Sequence, residues 1–271
     1  MNNHDYQDLP AISSHWLIAM LDSPRQCWEK YLDPQRPAEE PTDAMRFGTL
    51  VHALALTPKQ LEREFRVIHE DRRTRNGKAE WEWTQAQGWT PIKPAELDRA
   101  RAIVAALQAS PEARKLLRHG KKERTIIQPR ASGLLPLKGR LDVHHEARRH
   151  VVELKTTWNL AAVEAAMERY RYPLSAAFYA EISRSLAVHF VFVQTREPLE
   201  VAVMPLTPVQ LQAGREQWQT ALARFDACWA ADDWPEAEPA EEDDDPLLMN
   251  CHPALAAARP RFDVPLGELA L

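Results

Sequence analysis

The spacing of apolar residues along this chain changes period several times, and each change predicts a change of secondary structure. Apolar positions three to four residues apart, often after a Ser or Thr followed by Pro, indicate helices. Such segments fill most of the first 65 residues, where Ser13, Ser23 and Thr42 are predicted N-caps. Later predicted helices cover residues 94–107, 111–118, 159–170, 173–185 and 208–231.

Short runs of alternating or continuous apolar residues predict five β-strands between these helices. They cover residues 124–128, 135–144, 150–156, 188–194 and 199–206. This order of elements is typical of an α/β fold in which a mixed β-sheet is flanked by helices, here with a helical N-terminal region. Residues 71–90 are polar, basic and rich in Trp, and we expect a long surface loop there.

Composition and charge narrow the domain organisation. With 271 residues, of which 45% are hydrophobic, the chain can bury the core of one large domain. The formal net charge is −5, but residues 232–245 hold nine acids and no Lys or Arg, so the rest of the chain carries +4. We expect a folded domain over 1–234, with its helical part in about 1–65 and its central core in about 94–231. An acidic, disordered tail is expected over 235–271.

The scattered cysteines fit a reducing compartment, and the hydropathy of the chain predicts no membrane span. Cys27, Cys228 and Cys251 are scattered and form no C-x-x-C pair, which argues against a zinc ribbon or a four-Cys iron–sulfur cluster. The sequence has no run of about 18 apolar residues that would predict a membrane span, and its first residues lack the pattern of a signal peptide. We therefore predict a cytoplasmic protein without a membrane partner.

Two neighbouring predicted strands carry a short pattern of acidic and basic residues. Asp142 ends the run KGRLD, and Glu153 and Lys155 lie in the run VVELK. A turn centred between Ala147 and Arg148 would place Asp142 opposite Glu153, with Cβ atoms about 5 Å apart. Opposed carboxylates destabilise a sheet unless a cation lies between them, and Mg²⁺ is usually held by one or two carboxylates together with waters and phosphate oxygens.

The pattern predicts a site that hydrolyses phosphodiesters with Mg²⁺, for which Mn²⁺ can substitute. Asp142 and Glu153, with the backbone carbonyl of Leu154, would hold the ion, which would polarise the scissile phosphate and lower the pKa of a bound water. Lys155 would orient that water or stabilise the developing negative charge. The spacing alone leaves an alternative open, in which Asp142 and Lys155 form an ordinary cross-strand ion pair on a solvated hairpin.

Further segments accompany this pattern in a characteristic order. They are ISS at 12–14, SP at 23–24, YLDP at 31–34, MRFGTLVHAL at 45–54, LKGRLD at 137–142, ELKTT at 153–157, YPLSAAFY at 172–179 and WP at 234–235. With these segments the chain resembles the PDDEXK (restriction-endonuclease-like) nuclease superfamily. It resembles most closely the RecE-type exonuclease VIII group of phage and prophage exodeoxyribonucleases.

The resemblance implies roles for residues that spacing does not single out. It implies that His52, in a G-x-x-x-H element that begins at Gly48, lies at the metal site, although a lone His on an apolar helix is more often a core residue. It also implies a catalytic role for Tyr179. The Gln of the family's Q-x-x-x-Y element is replaced here by Ser175, which keeps a hydroxyl near the DNA but loses the reach of an amide.

The function that the resemblance implies is the degradation of linear double-stranded DNA from a 5′ end, leaving 3′ single strands for recombination by annealing. The resemblance also implies a ring-shaped homo-oligomer around DNA and a single-strand annealing protein as partner. Two alternatives stay open. One is a related nuclease of different polarity or an endonuclease, and the other is a non-enzymatic module that binds DNA ends or a recombination partner.

Binding of DNA without sequence preference requires basic groups that contact phosphates. Lys138 and Arg140, just before Asp142, are two candidates. The predicted loop offers Arg72, Arg73, Arg75 and Lys78, with Trp81, Trp83 or Trp89 to stack on a frayed base. A second basic cluster covers residues 114–124, and either cluster could instead be a solvated surface. Glu123 would add a metal ligand if its strand neighbours the hairpin.

Overall fold

The computed structural model describes residues 6–37 and 41–236. In these ranges the α-helices are α1 (Ser14–Asp22), α2 (Pro24–Tyr31), α3 (Asp43–Leu56), α4 (Leu61–Glu64), α5 (Arg75–Ala86), α6 (Pro94–Ala109), α7 (Pro111–Arg118), α8 (Val163–Arg169), α9 (Tyr172–Ser183) and α10 (Pro208–Ala231). The strands are β1 (Phe65–Val67), β2 (Thr90–Ile92), β3 (Lys121–Gln128), β4 (Leu137–His145), β5 (His150–Thr157), β6 (Ala187–Gln194) and β7 (Val201–Pro205). Short 3₁₀ helices cover Pro58–Gln60, Glu146–Arg148 and Leu160–Ala162.

Local capping chemistry starts most of the predicted helices where the sequence placed them. The Ser23 side chain accepts a hydrogen bond from the Gln26 N–H at the start of α2, and Thr42 accepts one from Met45 at the start of α3. Pro at the first helical position opens α2, α6, α7 and α10. The predicted tail over 235–271 lies, after its first two residues, outside the described residues. None of the described helices is both long and apolar enough to cross a membrane.

Five strands form the central sheet in the order β3-β4-β5-β6-β7. Strands β3, β4 and β5 are antiparallel to one another, β5 and β6 run parallel, and β7 is antiparallel to β6. The parallel pair requires a crossover, and α8 and α9 supply it. This is the predicted fold, an α/β architecture with a mixed sheet flanked by helices.

Each face of the sheet is covered by its own hydrophobic core. On one face α1, α9 and α10 pack over the sheet, with Phe178, Phe190 and Phe225 among the buried side chains. On the other face α3, α6 and α7 pack over Val152, Leu154 and neighbouring apolar residues. The N-terminal helices therefore form part of the two helical layers that cover this sheet, with α1 on one face and α3 on the other.

The prediction of a long loop over 71–90 is wrong, because residues 75–86 form α5. Thr74 caps this helix by accepting a hydrogen bond from the Gly77 N–H, and Trp81 and Thr84 are buried on it. A Cβ at Gly77 would lie 2.1 Å from the carbonyl oxygen of Asp71, so the close approach of the two backbones requires glycine there. On either side of α5, strands β1 and β2 pair in parallel as a second small sheet that the sequence did not predict.

Candidate metal site and catalytic centre

The hairpin of β4 and β5 has the register that the sequence predicted. Val143 pairs with Val152, and the pairing continues through His144 and Val151 to the turn. The ladder ends at Val143, so Asp142 and Glu153 are the next residues in register after the strands part. The two carboxylates therefore lie where the backbone hydrogen bonds between β4 and β5 stop.

The alternation of side chains along β4 breaks at Asp142. Residues two apart on a strand normally share a face. Leu141, however, packs in the core beneath α9, whereas Val143 packs in the core beneath α3. On the neighbouring strand, Glu123 is the residue in register with Asp142 and has a left-handed backbone, with φ of 48°. A row of three carboxylates, Glu123, Asp142 and Glu153, thus crosses β3, β4 and β5.

Backbone and side-chain groups hold the two central carboxylates in place. The Leu154 N–H donates to Asp142 Oδ2 over 2.7 Å, and the Asp142 N–H donates to Glu153 Oε1 over 3.4 Å. These bonds replace the ladder where the strands separate. The second oxygen of Asp142 lies 3.4 Å from Nδ1 of His52 on α3, and Lys155 Nζ lies 3.4 Å from Glu153 Oε2.

Asp142 and His52 stabilise each other's charged forms. Burial alone would raise the pKa of Asp142, but the charge and hydrogen bond of His52, together with the charge of Lys155, lower it below its usual range. Burial likewise disfavours the imidazolium of His52, yet Asp142 raises the pKa of His52 above its usual value. A proton on His52 therefore compensates the Asp142 carboxylate when no other cation does.

Glu153 and Lys155 are shifted in a different way. Burial, and after it the charge of Asp142, raises the pKa of Glu153 to about 8, so this carboxyl holds a proton at neutral pH. Burial would lower the pKa of Lys155, but the nearby charges of Glu153 and Asp142 raise it. Lys155 is consequently a permanent cation beside a carboxyl group that exchanges its proton near neutral pH.

Glu123 brings a third carboxylate to the pair of Asp142 and His52. One ligand atom from each of His52, Glu123 and Asp142 lies within 4.8 Å of the other two. Burial and the charge of Asp142 raise the pKa of Glu123, while Arg140, whose Nε donates to Glu123 Oε2 over 2.7 Å, opposes the rise. The condition set for Glu123 is met, because β3 is the direct neighbour of β4, and its role as a metal ligand stays a prediction.

The donor set suits a small, hard divalent cation. Carboxylate oxygens are the ligands that Mg²⁺ and Mn²⁺ prefer, whereas a neutral imidazole is a more usual ligand of Zn²⁺ or Fe²⁺. His52, Glu123 and Asp142 would hold such an ion, with Glu153 beside them across the parted strands. A divalent cation would also remove the repulsion that raises the pKa of Glu123 and Glu153. The residues present therefore fit the predicted metal, and its identity stays a prediction.

An open cleft of about 370 Å³ gives access to this site. Its walls come from the N-terminal segment, α3, β3, β4 and α9, and they include Tyr6, Gly48 and Tyr179. Tyr179 is buried and its hydroxyl accepts a bond of 3.4 Å from Ser14 Oγ, while burial raises its pKa to about 12. The structure thus brings Tyr179 and His52 to the wall that carries Asp142. Tyr6 was not among the predicted site residues, since no motif marks it.

The prediction that Lys138 contacts DNA is wrong. Its side chain is only 1% exposed, and its ammonium donates to the carbonyl oxygens of Tyr6, Gln7 and Leu9, each over 2.9 Å. Ile12 pairs with Leu137 in an isolated parallel bridge beside it. Lys138 therefore ties the N-terminal segment to β4, and no phosphate can reach it.

The remaining predicted DNA contacts lie in several parts of the molecule. Arg140 lines the cleft, bound to Glu123, and Ser175 is half-buried one helical turn before Tyr179 on α9. The four basic residues around α5, all in described parts of the chain, do not line the cleft; they are Arg72, Arg73, Arg75 and Lys78. Trp81 is buried beneath the Arg72 guanidinium and cannot stack on a base. Contacts of the other residues with DNA stay predictions.

The second basic cluster is largely satisfied within the protein. Lys121 and Arg124 form ion pairs with Glu146, over 2.5 and 3.1 Å. Lys122 donates to the carbonyl oxygens of Leu117 and His119. This part of the cluster therefore stabilises the start of β3 and the turn after β4.

Comparison with known proteins gives one family and a set of similar folds. Residues 13–242 match the model of a PDDEXK-like domain of unknown function (DUF3799). A crystal structure of a candidate exonuclease from Eubacterium rectale has 15% sequence identity and a TM-score of 0.62, covering 93% of this chain and 94% of that chain. A phage-related exonuclease from Haemophilus somnus 129PT has 11% identity and a TM-score of 0.36, covering 82% and 96%. A comparison with curated sequences finds no match.

Proposed function

From the premise that the chain belongs to the PDDEXK-like family DUF3799, we propose that it is a metal-dependent nuclease that hydrolyses phosphodiester bonds of DNA. The observation that carries the proposal is the row of Glu123, Asp142 and Glu153 across three strands, with Lys155 beside it. Such a row is costly without a cation, because buried carboxylates repel one another.

Each residue of the site has a separate task in this proposal. His52, Glu123, Asp142 and Glu153, together with the Leu154 carbonyl, hold a Mg²⁺ or Mn²⁺ ion, which when bound polarises a phosphate and acidifies water. Lys155 stays charged and stabilises negative charge that develops on the phosphate. Tyr179 lies on the cleft wall and positions the substrate.

We propose further that the substrate is an end of linear duplex DNA and that degradation runs from the 5′ end. The narrower resemblance to RecE-type exonucleases supports this choice, and the name of the Eubacterium rectale structure agrees with an exonuclease only. The same resemblance supports a ring-shaped homo-oligomer, a single-strand annealing partner and a role in recombination. Arg140 on the cleft wall is the proposed contact for a phosphate of the substrate.

Digestion of linear duplex labelled at either the 5′ or the 3′ end tests the proposal. With Mg²⁺ we expect early loss of the 5′ label, no digestion with chelator, and resistance of covalently closed circles. Asp142→Asn should abolish digestion, whereas Asp98→Asn, on the exposed side of α6, should leave it unchanged. Digestion that survives Asp142→Asn would reject the site, and rapid linearisation of the circles would reject an exonuclease.

A further inference from the structure

The segment that follows Lys155 in the chain carries two aromatic side chains at the protein surface, each beside an arginine. Trp158 directly follows β5, its ring is 39% exposed, and the Arg196 guanidinium lies 5.7 Å from the ring centroid. Tyr170, at the other end of the same connection, is half-buried with Arg169 5.7 Å from its ring. The pairs Trp158–Arg196 and Tyr170–Arg169 are called the aromatic platform below.

A continuous set of contacts links one of these pairs to the catalytic centre. Lys155 Nζ lies 5.7 Å from the ring of Tyr172, and this ring stacks on Tyr170 at 5.8 Å with an interplanar angle of 26°. Arg171, between the two tyrosines, has a left-handed backbone with φ of 50°. With this backbone conformation the rings of Tyr170 and Tyr172 lie on the same side of the chain and stack on each other. Tyr172 is buried, and Tyr170 is half-buried at the surface.

The other pair is placed by the sheet. Lys155 pairs with Phe192 and Thr157 pairs with Gln194 in the parallel ladder of β5 and β6. Trp158 and Arg196 follow these residues at the same carboxyl end of the two strands. Trp158 is three residues beyond Lys155, a distance of at most about 11 Å along an extended chain. In a nucleic-acid strand, successive phosphates advance by about 3.4 Å along the helix axis, so the platform lies within a few nucleotides of Lys155.

The charges of the platform favour an anionic ligand with flat rings. Some surface arginines of the described chain pair with acids, as Arg171 does with Asp22 over 3.0 Å, and others lie over aromatic rings, as Arg66 does over Trp89. Among the described residues neither Arg169 nor Arg196 has a carboxylate partner, and each lies against a ring instead. Exposed aromatic rings beside free cations are the combination that binds single-stranded nucleic acid, because bases stack on the rings and phosphates meet the cations.

We propose that the aromatic platform binds single-stranded DNA next to the catalytic centre, an inference that rests on the proposed nuclease function. The strand that is separated from its partner at a duplex end stacks on Trp158 and Tyr170, while Arg169 and Arg196 meet its phosphates. The platform is a second candidate for base stacking, beside Trp83, which is 59% exposed on α5 and whose contact with DNA stays a prediction. It recognises stacked bases and a charged backbone, without sequence preference.

Binding of a fluorescein-labelled single-stranded oligonucleotide, followed by anisotropy in buffer with chelator, tests the platform without cleavage. We expect Trp158→Ala and Tyr170→Ala each to weaken binding by about tenfold. Trp158→Phe should retain most of the affinity, because a ring remains. Trp229→Ala is the matched control, since Trp229 is also 39% exposed but lies on α10 and stacks on Phe225. A blunt duplex should bind all variants with nearly equal affinity.

The outcomes separate this inference from the proposed function. Wild-type affinity of Trp158→Ala for the single strand would overturn the platform, and so would equal losses in Trp158→Ala and Trp229→Ala. Neither result would affect the Mg²⁺-dependent digestion that tests the nuclease. Conversely, a wild-type protein that binds the single strand through Trp158 but digests no DNA would reject the nuclease and keep the platform. Circular dichroism of each variant verifies that it is folded.

Discussion

Two lysines on neighbouring strands of the sheet, the buried Lys138 and the half-buried Lys155, have opposite surroundings. At the start of β4, Lys138 is enclosed by the N-terminal segment and donates to three backbone carbonyl oxygens. At the end of β5, Lys155 faces the Glu153 carboxylate and the ring of Tyr172. Both were predicted to act on the phosphates of DNA. The structure keeps only Lys155 beside groups that can take part in chemistry.

The difference teaches that the partners of a buried cation decide its role. Burial lowers the pKa of Lys138 to about 8, and the charge of Asp8 opposes this only in part. Burial would lower the pKa of Lys155 as well, but the charges of Glu153 and Asp142 raise it. The groups that accept hydrogen bonds from Lys138 are backbone carbonyl oxygens, which do not titrate. The carboxyl groups beside Lys155 can titrate, and in the proposed function they bind a metal ion.

The largest expected effect is on cleavage by Lys155→Met. Removal of the ammonium eliminates the cation that stabilises developing charge, so single-turnover digestion of labelled linear duplex with Mg²⁺ should slow about a thousandfold. Glu153 can stay protonated, and the free energy of unfolding should change by less than about 1 kcal/mol. Digestion at the wild-type rate would show that Lys155 takes no part in catalysis. The proposed functional difference between Lys155 and Lys138 would then be rejected.

The reciprocal change, Lys138→Met, should act on stability. Three buried carbonyl oxygens would lose their donor, which is expected to lower the free energy of unfolding by about 3 kcal/mol in urea titrations. The folded fraction should retain far more cleavage than Lys155→Met retains. If Lys138→Met were as stable as the wild-type protein, the N-terminal segment would be held by other contacts.

A smaller effect is expected from Glu123→Gln, which removes one charge from the row of carboxylates. Affinity for Mn²⁺, measured by isothermal titration calorimetry, should fall about tenfold. Glu164→Gln serves as the control, because Glu164 is an exposed residue of α8. Unchanged affinity in Glu123→Gln would restrict the metal site to the set that was predicted from the sequence and the resemblance, namely Asp142, Glu153, the Leu154 carbonyl and His52.

The smallest expected effect is the pH dependence of metal binding. Because the pKa of Glu153 is about 8 in the protein without metal, an incoming cation displaces a proton below that pH. Affinity for Mn²⁺ should therefore rise about fivefold from pH 7 to pH 8 and level off above. The free energy of unfolding of the metal-free protein should change with pH in the opposite direction. Because the pKa of Glu153 is raised in the folded state, its protonation stabilises the fold at low pH, and this stabilisation is lost as the pH rises towards 8. Affinity that does not depend on pH would exclude Glu153 from the site.

Local interactions made much of the fold predictable from the sequence. The side chains of Ser23 and Thr42 cap the nearest backbone N–H groups, so the starts of α2 and α3 depend on residues three positions apart. The turn between β4 and β5 lacks Gly and Asn, so its centre between Ala147 and Arg148 was an assumption that a slip of one residue would have broken. The pairing of Val143 with Val152 agrees with the assumed register. In the same way, Lys155 had to share a strand face with Glu153.

Helix α5 shows where local composition misleads. Residues 71–90 are polar overall, and only Trp81 and Thr84 on α5 are buried with Gly77 against the preceding turn. The helix is stabilised by its cap at Thr74 and by packing on β2, which is not visible in composition. The sequence therefore predicted a loop where tertiary packing stabilises a helix.

The sequence by itself determined the starts of α2 and α3, the chain order of the five strands of the central sheet and the trio of Asp142, Glu153 and Lys155. Each of these depends on neighbours along the chain or across one short turn. Only the tertiary structure decided that Glu123 joins the row, that the alternation of β4 breaks at Asp142, and that Lys138 is buried. These three features depend on which strand lies beside β4 and on an N-terminal segment about 130 residues away. No spacing within a strand encodes such contacts, since the free energy that fixes them arises only when the layers pack together.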